Sequence, residues 1–230
     1  MKPSALIPVK GFSNAKQRLS PLLTAPEREL LAEVMMREVL QEVVLAQGLE
    51  STFVVTGNAT VSEIARSLGA CVIEEEREQG ETEAVHFALS RMKQMDVDCV
   101  LIVPADIPLV RSQDIDLILE HVKNQDLIPP FALLVPSHDR LGTNALLLSP
   151  VDIIRLRFGY DSFAYHLSAV AAQGLEPHIL ENERIALDID EPQDLQRFFA
   201  TGDGKGERIG KVLGIKTECD APGGRRSGSL

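Results

Sequence analysis

Charged residues stand at the ends of several apolar runs in this sequence, and together they suit phosphate chemistry. Lys10, Lys16 and Arg18 follow the run Leu6-Ile7-Pro8-Val9. Cations spread along a loop at a strand end can neutralise the β and γ phosphates of a nucleotide, while backbone N–H groups wrap them. Arg18 can also grip a phosphate through two parallel hydrogen bonds. The plainer reading of these residues is a solvated basic loop. Asp106 stands between Pro104 and Pro108, just after the run Cys99–Val103. The prolines fix φ on both sides. A carboxylate held that rigidly suits Mg²⁺, which demands near-octahedral oxygen ligands. The plainer reading is a turn aspartate bonded to nearby backbone.

Asp188 and Asp190 lie in Leu187-Asp188-Ile189-Asp190-Glu191-Pro192. On a strand, alternate residues share a face, with Cα atoms ~6.5–7 Å apart. Leu187 and Ile189 would then enter the core, and the two carboxylates would point together and share one cation. Asp190, with Gln193 three residues later, could instead cap a helix. Asp188 has no such alternative. A fourth group is Gly142-Thr143-Asn144 with Phe158-Gly159-Tyr160-Asp161-Ser162-Phe163. Gly159 permits close backbone approach. Ser162 at a helix start, with free N–H groups, makes an anion site for a small phosphorylated acid; a plain helix cap is the alternative. The five histidines are scattered, and no serine or cysteine has a nucleophile setting. A phosphate nucleophile needs neither, because it is already ionised at pH 7. Catalysis then rests on positioning, metal and cationic residues.

The elements that must hold these residues alternate along the chain. Ala5–Val9 reads as a buried strand. Thr24 and Glu27 form a capping box. Helical spacing of apolar residues follows, closed by Gly48. Strands are expected at Ser51–Thr56, Cys71–Ile73, Cys99–Val103, Ala132–Val135 and Ala145–Leu148, then near Pro177–Leu180 and Ala186–Ile189. Helices are expected at Val61–Leu68, Thr82–Met95, Gln113–Lys123, Ser162–Gln173 and Pro192–Ala200. Apolar strands alternating with helices imply an α/β fold: a mostly parallel central sheet with helices on both faces. Ligands of such sheets bind beyond the carboxyl ends of the strands. Residues 1–200 form the expected domain, and Thr201–Leu230 reads as a flexible, glycine-rich tail.

Composition narrows the function. The 230 residues suit one domain. The net charge of −11 argues against nucleic acid as a partner. The residues up to Arg28 are nevertheless locally basic, with Glu27 their one acidic group. No run is long and apolar enough to span a bilayer, and the start lacks a signal-peptide pattern, so a cytoplasmic protein without membrane contact is expected. Cys71, Cys99 and Cys219 form no zinc or redox motif.

The segments LIPVK with AK-x-RL, PADIPL, G-TNALLL, FG-x-x-SF and LDIDEP-x-DL occur here in one order. That order resembles the 2-phospho-L-lactate and phosphoenolpyruvate guanylyltransferase family of coenzyme F-420 biosynthesis, from about Ala5 to Phe199. The resemblance implies a GT-A-like (Rossmann-like) nucleotidyltransferase fold. It implies an enzyme that joins GTP to phosphoenolpyruvate, 2-phospho-L-lactate or 3-phospho-D-glycerate and releases pyrophosphate. It implies Mg²⁺ on Asp106, Asp188 and Asp190. Thr143, Gly159 and Ser162 resemble the positions that hold the acid, and Lys10, Lys16 and Arg18 the catalytic nucleotide-phosphate loop. Guanine is then expected against backbone of the Leu6–Gly11 stretch (Leu6, Pro8, Lys10, Gly11) and near Gly80. Two segments depart from the family pattern. Gly80-Glu81-Thr82-Glu83 replaces a G-L-N, which bears on base recognition. Tyr160-Asp161 precedes the serine, and a carboxylate beside the anion site would favour a hydroxylated acid. The rivals are a cytidylyl- or molybdopterin-type nucleotidyltransferase, a metal-dependent phosphohydrolase, and a non-catalytic protein that binds a phosphometabolite. A homodimer is left open.

Overall fold

Seven strands form one sheet in the order β3-β2-β1-β4-β6-β5-β7. The computed structural model describes residues 3–75 and 80–214. The chain runs β1 (Ser4–Pro8), α1 (Ala25–Leu45), β2 (Thr52–Thr56), α2 (Ala59–Ser67), β3 (Cys71–Glu74), α3 (Glu81–Gln94) and β4 (Val100–Ile102). It continues through α4 (Ser112–Asn124), β5 (Phe131–Pro136), β6 (Thr143–Ser149), α5 (Ser162–Ala172), β7 (His178–Ile179), α6 (Glu183–Ala186), α7 (Pro192–Ala200) and α8 (Gly204–Leu213).

The apolar strands are buried because both sheet faces are covered. Ala5, Ile7, Val54, Leu101 and Leu133 face one apolar cluster. Leu6, Val55, Ile102 and Leu134 face the other. The capping box forms: Glu27 accepts from the Thr24 N–H at 2.7 Å and from its hydroxyl at 2.6 Å. The helix it starts ends at Leu45, earlier than Gly48. The Gly48 N–H turns instead to Asp116 on α4 at 2.9 Å.

β1, β2, β3 and β4 run parallel, and β6 runs antiparallel to both β4 and β5. This reversal matters for function. It brings the beginning of β6, Thr143 and Asn144, to the rim where β1 and β4 end. β1 also lies at the point where successive connections leave in opposite directions, the place where open α/β sheets form a ligand crevice.

Two expected segments differ. Ala186–Ile189 is not a strand: Glu183–Ala186 forms a helical turn, and the following residues pair with no sheet neighbour. Leu187 and Ile189 are nonetheless buried and Asp188 and Asp190 only partly so, so the expected alternation survives without a ladder. Asn144 Nδ2 takes the ladder's place by donating to the carbonyls of Ile185 and Ala186 at 3.0 and 3.1 Å.

The segment expected as a flexible tail from Thr201 begins with a packed helix. Asp203 caps α8 by accepting from the Lys205 N–H at 2.8 Å. Ile209 and Leu213 enter a third apolar cluster with Phe198 and Leu195 of α7. Four glycines within α8 and at its end hid this helix from a propensity reading. Residues 215–230 of the expected tail lie outside the described residues. Ile209→Ala is expected to lower the free energy of unfolding by ~2–5 kcal/mol in denaturant titrations; an unchanged value would mean that α8 does not belong to the core.

Candidate active site

Three loops meet at the rim. The first follows β1 and carries Lys10, Lys16 and Arg18. Lys16 has left-handed backbone (φ 51°), as does Asn14 (φ 69°). Such angles cost a non-glycine residue free energy and gather at functional sites. The turn sends the Lys16 side chain inward, where it is 10% exposed. Its ammonium donates to Asp106 Oδ2 at 2.6 Å and to Asp190 Oδ1 at 2.8 Å. The second loop follows β4 and carries Asp106. The third is 187–190. A backbone hydrogen bond from the Ile189 N–H to the Asp106 carbonyl, 3.0 Å, ties the last two together. Asp188 accepts from Asn144 Nδ2 at 3.0 Å.

The electrostatics follow from this crowding. Burial opposes charge on Lys16, but attraction to Asp106 and Asp190 more than offsets it, so the ammonium is held well above the ordinary lysine value. Burial also opposes the Asp190 carboxylate, yet Lys16 beside it holds its pKa below the usual range. Among the described residues no cation pairs with Asp188. Burial, then repulsion from Asp106, push it up to about 6. Glu81, on the first turn of α3, rises to about 7 through burial and the nearby Asp106, despite Lys10 and Lys16.

Two cavities flank these charges. The first, of about 540 Å³, is lined by Pro8, Lys10, Gly11 and Lys16 on one wall. The second, of about 550 Å³, is lined by Thr143, Gly159, Ser162, Asp188 and Asp190. Both are bordered by Glu81, Pro104 and Asp106. They are two halves of one cleft, with Asp106 and Glu81 at the junction and Asp188 and Asp190 on the side of the second cavity.

Most of the expected residues come together here, and several differ in detail. Leu6 is fully buried, and its carbonyl accepts from the Val103 N–H at 3.0 Å, so it is a core residue and not a nucleotide contact. Gly80 begins α3 in a left-handed conformation next to the cleft residue Glu81, but it does not itself line either cavity. Arg18 borders the second cavity, not the first, and its guanidinium lies 3.6 Å from Glu191 with both groups exposed. The expected free N–H groups at the start of α5 are partly used: Ser162 and Phe163 donate to the carbonyls of Gly159 and Leu141. The Ser162 hydroxyl accepts from the Thr143 N–H at 3.1 Å, which leaves its own proton to donate. Gly159 has φ 100°, which a side chain would strain. Asp161 stands at the N-cap position of α5 without a side-chain capping hydrogen bond, and it is not among the residues lining the second cavity.

The sequence reading missed Asn58, Glu75 and His166, and noted Glu81 only as part of a segment that departs from the family pattern. Asn58 caps α2 by accepting from the Val61 N–H at 3.1 Å, and it lines the first cavity. Its amide lies so close to Gly11 that a Cβ there would meet it at 2.7 Å. Glu75 follows β3 and lines the same cavity. Their only sequence signal was position at a strand end on the binding rim. His166 follows Ser162 by four residues on α5, a spacing that shares a helix face.

The residues fit a hard divalent cation. Asp106 and Asp190 already converge on one positive charge, and Asp188 is near enough to be repelled by both. Carboxylate oxygens without sulfur or imidazole suit Mg²⁺. Among the described residues no three acidic, histidine or cysteine side chains are arranged as a finished metal cage. Lys16 Nζ stands between two of the carboxylates instead.

With this geometry in place, the comparisons with known proteins are decisive about kinship. The family described as Guanylyl transferase CofC like matches residues 3–226. The chain belongs to this family. It is therefore a nucleotidyltransferase by descent. The 2-phospho-L-lactate guanylyltransferase of Methanothermobacter thermautotrophicus is 34% identical over 204 residues, covering 89% of this chain and 87% of that protein. The phosphoenolpyruvate guanylyltransferase of Rubrobacter xylanophilus is 35% identical over 198 residues, covering 86% and 94%. Solved structures agree on the fold. A cytidylyltransferase from Leptospira borgpetersenii superposes with TM-score 0.59 at 16% identity, covering 93% of this chain and 94% of that one. A nucleotidyl transferase from Methanothermobacter superposes with TM-score 0.59 at 16% identity, covering 85% and 95%. Among the described residues no helix is long and apolar enough to cross a membrane.

The raised Asp188 value carries a stability consequence. Between about pH 4 and about pH 6 the folded chain holds a proton that the unfolded chain has released. Stability therefore falls as pH rises through that window. Asp188→Asn removes the charge and keeps an oxygen for Asn144. Without divalent metal, this variant is expected to be ~1–2 kcal/mol more stable than the parent at pH 7, with the gap closing near pH 4. Thermal melts at the two pH values check it; equal stability at pH 7 would remove the claim that Asp188 is a strained carboxylate.

Proposed function

We propose that this protein is a magnesium-dependent guanylyltransferase that joins GTP to a small phosphorylated acid and releases pyrophosphate. The observation that carries this reading is the divided cleft, with a carboxylate cluster and a lysine at the junction of two cavities. One cavity suits a nucleotide and the other a small anion. Relatives named as acting on phosphoenolpyruvate and on 2-phospho-L-lactate make these the acids of choice, and 3-phospho-D-glycerate remains a third substrate to test. A role in coenzyme F-420 biosynthesis follows if one of them is used.

In this reading GTP enters the first cavity. Backbone from Pro8 to Gly11 approaches the nucleotide, and Lys10 meets its phosphates. Glu75 offers a carboxylate that can accept from both the N1–H and the exocyclic amine of guanine, a side-by-side pair of donors that adenine does not present. Lys16 and Lys10 neutralise charge building on the leaving pyrophosphate. The acid lies in the second cavity against the hydroxyls of Thr143 and Ser162 and the bare backbone of Gly159. Its phosphate is ionised already, so the chain needs no general base. The residues hold the attacking oxygen, Pα and the leaving oxygen in line. Asp106, Asp188 and Asp190 would hold Mg²⁺, which when bound would supply neutralisation of phosphate charge.

The test is pyrophosphate release with each of the four nucleoside triphosphates and each of the three acids. GTP with one acid is expected to dominate. A preference for CTP would reassign the nucleotide, and inorganic phosphate released without any acid would make the protein a hydrolase. Asp106→Asn and Asp188→Asn are expected to lower kcat at least 100-fold, or ~2.7 kcal/mol in barrier, while both variants stay folded. Full activity of either with Mg²⁺ would refute the ligand assignment.

A further inference from the structure

His166 takes no part in the reading above, yet it is buried beneath the second cavity and fully hydrogen-bonded. It is 0% exposed on α5. The rings of Phe158 and Tyr165 meet it edge-on, each with centroids 5.6 Å away. The backbone N–H of Arg157 points at His166 Nε2 at 3.3 Å. Nδ1 lies 2.9 Å from Thr143 Oγ1. Burial, reinforced by Arg157, lowers the imidazole to about 4, so it is neutral at pH 7.

These partners fix the tautomer of the ring. A backbone N–H can only donate, so Nε2 accepts. A neutral imidazole carries one N–H, which is then on Nδ1. Nδ1–H donates to Thr143 Oγ1, and that oxygen's own proton must go elsewhere. Thr143 lines the second cavity. Ser162 repeats the pattern: its hydroxyl accepts from the Thr143 N–H and keeps its proton free.

We propose that His166 is a positioning residue for the acid substrate: through Thr143 Oγ1 it turns the threonine O–H into the second cavity as a committed donor to an anionic oxygen of the acid. Left to itself, a threonine hydroxyl rotates and can present a lone pair to that oxygen instead. The imidazole removes that option without touching the ligand. The arrangement selects an acceptor-only group, a carboxylate or phosphate oxygen. It rests on the guanylyltransferase reading for the identity of the acid.

The experiment compares the parent enzyme with His166→Leu, His166→Asn, Thr143→Val and the Thr143→Val/His166→Leu pair in pyrophosphate release at pH 7. His166→Leu is expected to raise KM for the acid about tenfold, while KM for GTP stays within about twofold. Asparagine can place an N–H near the Nδ1 position, so His166→Asn is expected to recover most of the loss. On the Thr143→Val background, His166→Leu is expected to add less than about twofold. Equal rises in both KM values, no recovery by asparagine, or the same factor on the Thr143→Val background would each reduce His166 to a packing residue. Imidazole ¹⁵N shifts read the tautomer independently: protonated Nδ1 is expected, and protonated Nε2 overturns the proposal whatever the substrate. A parent enzyme inactive with GTP and all three acids sinks the guanylyltransferase reading and this inference together. An active parent with unchanged acid KM in His166→Leu sinks the inference alone.

Discussion

An ammonium held between carboxylates from distant parts of the chain is the interaction on which the cleft depends. Lys16 reaches Asp106 across 90 positions and Asp190 across 174. Without it, Asp106, Asp188, Asp190 and Glu81 would meet as a cluster of like charges only partly screened by water. Removing Lys16 would leave Asp106 and Asp190 facing each other without their shared counter-charge. The unrelieved part of the repulsion falls on Asp188 and Glu81, whose values are raised. A site that stores this repulsion favours arrival of a further cation, which would relieve it. In the structure Lys16 holds the carboxylates of Asp106 and Asp190 together.

Charge alone cannot bring these loops together, because carboxylates repel before the cation arrives. Apolar packing does it. Leu19 follows Lys16 and Arg18, Leu109 follows Asp106, and Leu187 and Ile189 alternate with Asp188 and Asp190. All four enter one buried cluster, which α8 helps to close through Ile209 and Leu213. Polar bonds then set the register. Asp114 on α4 is fully buried and binds Asn182 and Arg184. Lys205 on α8 donates to the Val110 carbonyl at 2.8 Å and pairs with Glu42 at 2.9 Å. The helix behind the site thus grips the loop that follows Asp106. Burial supplies most of the driving force, and the hydrogen bonds decide which arrangement is adopted.

Much of this was legible in the sequence, for identifiable reasons. Fully apolar runs of strand length, such as Cys99–Val103, declare a buried parallel sheet because only burial on both faces tolerates them. Asp106 between two prolines declares a rigid loop. The alternation Leu187-Asp188-Ile189-Asp190 declares which side chains are buried and which face out, and it survived even though the segment joins no sheet. That holds because alternation reports burial, and burial here comes from the third apolar cluster in place of a neighbouring strand. Gly204–Leu213 is helical where a flexible tail was expected, because glycine signals backbone freedom. In α8 the loss of helix propensity is offset by Ile209, Leu213 and the buried Lys205.

The sequence by itself determined the alternating sheet and helix order, the charges at the strand ends, and kinship with a family of transferases. Those follow from local patterns of burial and from motifs that each span a few residues. Only the tertiary structure decided that β6 runs against its neighbours and so delivers Thr143 to the rim. It alone decided that Lys16 joins the aspartates, that Leu6 serves the core, and that a buried histidine backs the second cavity. Each of these depends on contacts between residues far apart in the chain. Such pairs leave no periodic trace, because their partners are chosen by the packing of whole elements.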